Sequence, residues 1–180
     1  FDGSEFIDLG NPASLDVNNQ TITAWLKTDV VLGDWRFAYG AGSDNWGVDF
    51  GISTGDKWGT EFQNSGTTSD LLEGSTPTAG EWMHLSFTYD GSTIKLYENG
   101  ALVDSASMTG DMYPSTSYRI GSKYDGSFKW DGSIDEMMIW NTSLSAEEIY
   151  QVYISNLRKY DTNKWSLYVN QSLNSTNGLP

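Results

Sequence analysis

Cysteine is absent from these 180 residues, and histidine occurs once, at His84. The first absence excludes disulfides and thiolate metal sites. It leaves the compartment open, because a chain of this length buries a core that needs no covalent staples. The lone histidine excludes paired-histidine zinc motifs, and neither a phosphate loop nor a Gly-x-Ser-x-Gly elbow occurs. Basic residues are scarce: Lys and Arg total 10 against 24 Asp and Glu, a net charge of −14. Such acidity argues against nucleic acid as a partner, favours cations and suits a well-solvated surface. No apolar run approaches the ~20 residues that span a bilayer, so membrane insertion is not expected. The chain opens without a signal-peptide pattern.

What is present is β-structure and aromatics, with 8 Trp and 10 Tyr. Thr21 to Lys27, Trp35 to Tyr39, Trp46 to Ser53 and Lys57 to Gln63 are short, rich in aromatic and β-branched residues, and bounded by Gly, Asp, Asn and Ser. Such runs recur roughly every ten residues, the spacing of a sandwich. From Met83 to Tyr89 the pattern alternates, with Met83, Leu85, Phe87 and Tyr89 on one face and Trp82, His84, Ser86 and Thr88 on the other. Asp90-Gly91 and Asn99-Gly100 supply the positive φ angles of tight hairpin turns, so Trp82 to Ala106 reads as a three-strand meander. One helix is expected: Ser145 is an N-cap, Glu147 and Glu148 fall in the first turn, and Ile149, Val152 and Tyr153 follow at helical spacing. Beyond it, Lys164 to Asn170 is strand-like and the tail turns polar. Residues 154–180 therefore read as a linker with an extra edge strand or the start of a following module.

Three segments carry a resemblance: Gly80-Glu81-Trp82-Met83-His84-Leu85-Ser86-Phe87-Thr88-Tyr89-Asp90-Gly91, Ile94 to Gly100, and Gly132-Ser133-Ile134-Asp135-Glu136-Met137-Met138-Ile139-Trp140-Asn141. With Phe1-Asp2-Gly3, Ile7 to Pro12, Ile22 to Lys27, Tyr118 to Ser122 and Asn141 to Ile149, their order resembles the laminin-G-like, concanavalin-A-like lectin/glucanase family. The resemblance covers residues 1–153. It implies an all-β fold, a two-sheet antiparallel jelly-roll sandwich with one short C-terminal helix. In that family Phe1-Asp2-Gly3 sits inside the first strand, so the chain reads as a piece of a longer protein with neighbouring domains.

The resemblance also bears on chemistry. Sandwich glycosidases of this superfamily carry Glu-x-Asp-x-x-Glu on one strand, which sets two carboxylates about 5 Å apart. This sequence has no such spacing, and His84 falls in a structural strand, so no enzyme is expected. By analogy with related sandwiches, Asp135 would ligate Ca²⁺ with Asp2 and Gly3 as partners. A second calcium site would lie on the rim at Asp44 and Asn45, with Asp49 or Asp125-Gly126. Trp25, Trp82 and Trp140 match core or sheet positions of the family.

Sugars stack their C–H faces on aromatic rings and bond through their hydroxyls to polar neighbours. Trp35, Arg36, Tyr39, Asp44, Asn45, Trp46, Trp58, Glu61 and Gln63 offer both kinds of group, and Tyr113, Tyr124, Trp130 and Asp131 could extend the same face. Asn19, Asn141, Asn170 and Asn174 open glycosylation sequons. The expectation is an extracellular or cell-surface recognition module that binds carbohydrate or a glycoprotein. A protein-adhesion domain and a stalk spacer are the alternatives.

Overall fold

The computed structural model describes residues 1–31, 33–43, 46–64, 69–112 and 115–160; within these, the side chains of Trp46, Ser69, Arg158 and Tyr160 are left undescribed. The strands are β1 (Ile7–Gly10), β2 (Gln20–Thr28), β3 (Arg36–Ser43), β4 (Trp46–Ile52), β5 (Trp58–Gln63), β6 (Ser69–Glu73), β7 (Met83–Tyr89), β8 (Thr93–Glu98), β9 (Ala101–Ser107), β10 (Ser117–Ile120) and β11 (Gly132–Trp140), followed by helix α1 (Ala146–Tyr160). They form two antiparallel sheets, one of six strands in the order β1-β10-β3-β4-β5-β6 and one of five in the order β11-β2-β7-β8-β9.

The two sheets enclose the core through alternation along their central strands. Ile22, Ala24 and Leu26 of β2 and Leu85, Phe87 and Tyr89 of β7 meet Tyr39, Val48, Phe50, Ile52, Trp58 and Phe62 of the opposite sheet. The expected turns hold the meander together. Asn99 (φ 49°) and Gly100 (φ 80°) both take the left-handed conformation of a tight hairpin, and Asn99 Oδ1 accepts the His84 N–H at 3.1 Å. Asp90 Oδ1 accepts from Ser92 N at 2.9 Å and Thr93 N at 2.8 Å, closing the other turn.

Helix α1 starts as the sequence implies. Ser145 and Glu148 exchange hydrogen bonds in a capping box, with Ser145 N to Glu148 Oε2 at 2.8 Å and Glu148 N to Ser145 Oγ at 3.3 Å. The helix runs to Tyr160, past the expected close at 153, so residues 154–160 are helix rather than linker. The strand-like Lys164 to Asn170 lies outside the described residues. The segment entering the helix covers the outer face of the five-stranded sheet: Thr21 Oγ1 donates to Thr142 O at 2.7 Å and accepts from Leu144 N at 2.9 Å. His84, expected to be structural, is buried there between Trp25 and Tyr153, with ring centroids 5.3 and 5.7 Å away. That apolar surround penalises its charged form and lowers its pKa to about 4.

Candidate functional site

On the six-stranded sheet, the strand registers align Asp8, Arg119, Gly40, Asp49, Glu61 and Leu71 in one row across β1, β10, β3, β4, β5 and β6. Their strand neighbours Tyr39, Phe50 and Phe62 face the core, so this row faces away from it. Gly40 is the landing point for residues 121–130. A Cβ at Gly40 would lie 2.6 Å from Ser122 O and 2.7 Å from Lys123 Cα, so only glycine lets this segment seat on the sheet.

Residues 121–130 form a compact turn. Lys123 N donates to Ser127 O and Gly126 N to Lys123 O, both at 2.9 Å. Asp125 Oδ1 accepts the Ser127 N–H at 2.8 Å. These bonds draw the Asp125 pKa down against a larger opposing effect of burial.

Lys123 reaches over the sheet to Asp49, Nζ to Oδ2 at 3.4 Å. Asp49 is 7 % exposed, and its second oxygen is buried without a hydrogen-bond partner. Burial pushes its pKa up to about 7, with Lys123 opposing and Glu61 across the strand pair adding to the rise. Asp49 and Glu61 are therefore close carboxylates on one face. Asp49, however, is ion-paired and closed off from solvent, which is not the open acid–nucleophile geometry that glycoside cleavage requires.

Two aromatic rings, those of Tyr124 and Phe128, lie beside the Lys123 end of this ion pair, and further rings lie near Phe128 and Arg119. Phe128 adopts φ 48°, a left-handed conformation costly for an aromatic residue, and the residue is 38 % exposed. Two contacts fix it there: its carbonyl accepts the Phe37 N–H at 3.0 Å, and its ring meets Phe37 edge-on at 6.0 Å. Trp35 stacks on Phe37 at 5.3 Å. Phe6 is 37 % exposed and covers the Arg119 guanidinium, 4.5 Å from Cζ to ring centroid. Lys123 Nζ lies 5.8 Å from the Tyr124 ring and 5.9 Å from that of Phe128.

Of the residues expected from the sequence, Trp35, Tyr124, Asp49 and Asp125 come together on this surface. Tyr39, Trp58 and Trp130 do not. They are at most 1 % exposed and belong to the core, where the Trp58 and Trp130 rings lie 6.2 Å apart, so none has a free face for a sugar. The reason is register. Trp58 shares the inward parity of Phe62, and a bulge between Phe37 and Tyr39 turns those two residues, two apart in sequence, to opposite faces. Asp44, Asn45 and Tyr113 lie outside the described residues, as does the side chain of Trp46. Sequence reasoning missed Phe6, Phe37, Arg119, Lys123, Phe128 and Lys129. The run Lys123-Tyr124-Asp125-Gly126-Ser127-Phe128-Lys129, with two of the chain's ten basic residues beside two aromatics, was the available signal.

The expected calcium ligands do not converge either. Asp2 pairs in a bridge with Asp131, and Gly3 N donates to Trp130 O at 3.1 Å, so the N-terminal segment meets β11 at its start rather than at Asp135. Asp135 instead accepts from Lys159 of α1 at 2.7 Å, and Glu136 from the same ammonium at 2.9 Å. Among the described residues no group of three His, Cys, Asp or Glu is placed to hold a metal ion. The donor set present at Asp135, Asp2 and Gly3 does not fit Ca²⁺, which takes six or more oxygens.

A closed two-sheet antiparallel sandwich with its strand ends joined by short turns is the lectin-like jelly roll. The family model Laminin_G_3, the concanavalin A-like lectin/glucanases superfamily, matches residues 1–150, and the chain belongs to that superfamily. Pappalysin-1 of Mus musculus is 34 % identical over 77 residues, which cover 39 % of this chain and 5 % of that protein, so the chain spans a small fraction of that relative's length. Among solved structures, the Ruminococcus gnavus IT-sialidase CBM40 bound to α2,3-sialyllactose superposes with a TM-score of 0.70 at 17 % identity, over 85 % of this chain and 94 % of that one. The heptameric SAP-like pentraxin of Limulus polyphemus gives 0.61 at 15 % identity, over 76 % and 70 %. The binding domain of botulinum neurotoxin DC in complex with SialylT gives 0.61 at 14 %, over 77 % and 36 %. At these identities the likeness is one of fold.

Proposed function

We propose that this domain is a non-catalytic recognition module of an extracellular protein and that it binds glycans on the outer face of the six-stranded sheet, around residues 121–130. One observation carries the reading: Phe128, an aromatic residue 38 % exposed, is held at φ 48°. A strained backbone that presents an aromatic ring to solvent costs stability and suits stacking on a sugar face. Lys123 lies beside the ring as a hydrogen-bond donor, and Glu61 and Gln63 of β5, on the same outer face, offer acceptors to hydroxyls. Two fold neighbours support the ligand class, one solved with α2,3-sialyllactose and one with SialylT. Membership of a lectin-like superfamily supports an extracellular setting.

A protein partner is the second reading. Leu102, Val103 and Tyr150 are 53, 42 and 46 % exposed on β9 and α1, and the botulinum neurotoxin DC binding domain was also solved with rat synaptotagmin II. Calcium enters neither reading through Asp135.

A glycan array run on the full chain, with calcium and again with a chelator, separates these. The expected result is binding in both arms. Binding only with calcium would move the site to the rim. Silence in both arms would favour the protein partner.

A further inference from the structure

We propose that residues 121–130 form a pH-operated latch on the six-stranded sheet, seated most firmly at mildly acidic pH and lifting more readily as Asp49 loses its proton toward neutrality. The latch stands on its own geometry. Where the glycan reading holds, it regulates that site, because Tyr124 and Phe128 ride on the turn. The turn is held along its length by contacts to the sheet. Phe37 N donates to Phe128 O at 3.0 Å, Ser117 Oγ donates to Tyr124 O at 2.9 Å, and Lys123 Nζ reaches Asp49 Oδ2 at 3.4 Å. Its two ends are fixed independently of Asp49. Gly121 N donates to Ala38 O and Trp130 N to Gly121 O, each at 2.9 Å, and Trp130 is fully buried. Gly121, at φ 87°, is a hinge between the fixed end and the turn.

The trigger is the carboxylate beneath. Asp49 pairs in register with Gly40, and the turn rests on Gly40. Among the described residues, the charged groups that act on Asp49 are Lys123 and Asp125 from the turn and Glu61 from β5. The facing residue of β3 is Gly40, and Arg119, beyond it on β10, turns to Asp8 at 3.8 Å. One ammonium therefore stands against two further acids. Asp49 is closed off from solvent, and its Oδ1 has no hydrogen-bond partner among the described residues. A carboxylate so placed gives up its hydration for a single ion pair, while Glu61 and Asp125 repel its charge. Its pKa is accordingly pushed up to about 7, with burial the largest cause and Lys123 opposing it.

Lifting the turn lets water reach Asp49 and returns its pKa toward the ordinary carboxylate value of about 4. The seated turn thus holds the proton more tightly than the lifted one. Rising pH then favours lifting by about tenfold per unit between these limits, and the gain ends above about 7. The Lys123 ion pair strengthens as Asp49 ionises, but its attraction falls short of the desolvation cost. His84 lies on the other sheet and keeps its surroundings when the turn lifts. Local lifting therefore feels Asp49 alone, whereas unfolding of the whole domain feels both groups, with opposite signs.

Amide hydrogen exchange on the full chain reads the opening directly, followed by NMR from about pH 5 to 6.5 and corrected for the intrinsic rate at each pH. The reporter is the Phe37 N–H, which is bonded to Phe128 O. Its opening constant should rise about tenfold per pH unit in the wild type and stay level in Asp49→Asn. Amides in the middle of β7, which open with the whole domain, should stay nearly level in the wild type, because Asp49 and His84 offset each other. Exchange at Phe37 that tracks β7, that ignores pH, or that keeps its slope in Asp49→Asn would overturn the latch. The carboxyl carbon shift of Asp49 in the wild type is a second check that needs no variant. A titration midpoint of about 4, the ordinary value, would also overturn it. No ligand enters either measurement, so failure of the latch and failure of the glycan reading are told apart.

Discussion

Lys123 and Asp49 form an ion pair, 3.4 Å from Nζ to Oδ2, that ties residues 121–130 to the middle of the six-stranded sheet. The carboxylate is 7 % exposed and one of its oxygens has no hydrogen-bond partner, so the pair costs desolvation that the lysine only partly repays. Its product is placement: the same turn carries Tyr124 and Phe128 onto the outer face.

The buried Asp49 and His84 act on stability with opposite signs. Asp49 keeps its proton to about pH 7 when folded, while the unfolded chain loses it near 4, so stability falls as pH rises across that interval. His84, lowered to about 4, is protonated near 6.5 when unfolded, so stability rises with pH from 4 to 6.5. Asp49→Asn removes only the first effect. Relative to wild type, its unfolding free energy should climb with pH by about 1.4 kcal/mol per unit between pH 4 and 6.5, measured by urea titration at each pH. Parallel curves for the two proteins would contradict the assignment.

Gly40→Ala brings a methyl group to 2.6 Å from Ser122 O. The neighbouring atoms are backbone, so the turn must lift. A loss of about 1–3 kcal/mol is expected, together with weakened glycan binding. Unchanged stability in thermal unfolding would mean the turn does not rest on the sheet.

Trp58 and Trp35 should part company. Trp58 is 1 % exposed, and truncation to Ala should cost about 3–5 kcal/mol in chemical denaturation. Trp35 is half-buried and stacks on Phe37 at 5.3 Å, so its truncation should cost far less while reducing the fluorescence response to sugar. Equal destabilisation by the two variants would refute this division.

Chelation should leave the unfolding midpoint unchanged, because Lys159 already occupies the Asp135 carboxylate at 2.7 Å. Lys159→Ala, at an exposed pair, should cost no more than about 1 kcal/mol. A midpoint lowered by chelator in calorimetry would return calcium to the fold.

The sandwich was legible because its signals are local. Asp90-Gly91 and Asn99-Gly100 fix two turns by backbone chemistry, Leu85-Ser86-Phe87-Thr88-Tyr89 shows its alternation openly, and Ser145 with Glu148 marks the helix start. The site was legible only in part because it depends on register and on long-range placement. The bulge between Phe37 and Tyr39 exchanges faces with no local mark in the sequence, so Tyr39 reads as a partner of Trp35 although the two lie on opposite sides of the sheet. Phe6 and Phe128 are far apart in the chain. Phe6 reaches the turn that carries Phe128 where Gly126 sits over Arg119; a Cβ there would approach Nη1 to 2.7 Å and the Phe6 ring to 3.3 Å. The helix end was misjudged at 153 because Ile154, Leu157 and their neighbours continue the helix without a capping residue to stop it.

Phe128→Gly tests the account most directly, since glycine accepts φ 48° without strain and removes only the ring. Affinity for the strongest glycan hit and the unfolding midpoint are to be measured on wild type and variant side by side. The account expects an unfolding midpoint within a few degrees of wild type and affinity reduced at least about tenfold, the loss of one stacked ring. Undiminished affinity in a stably folded Phe128→Gly variant would contradict it and move the binding site off this surface.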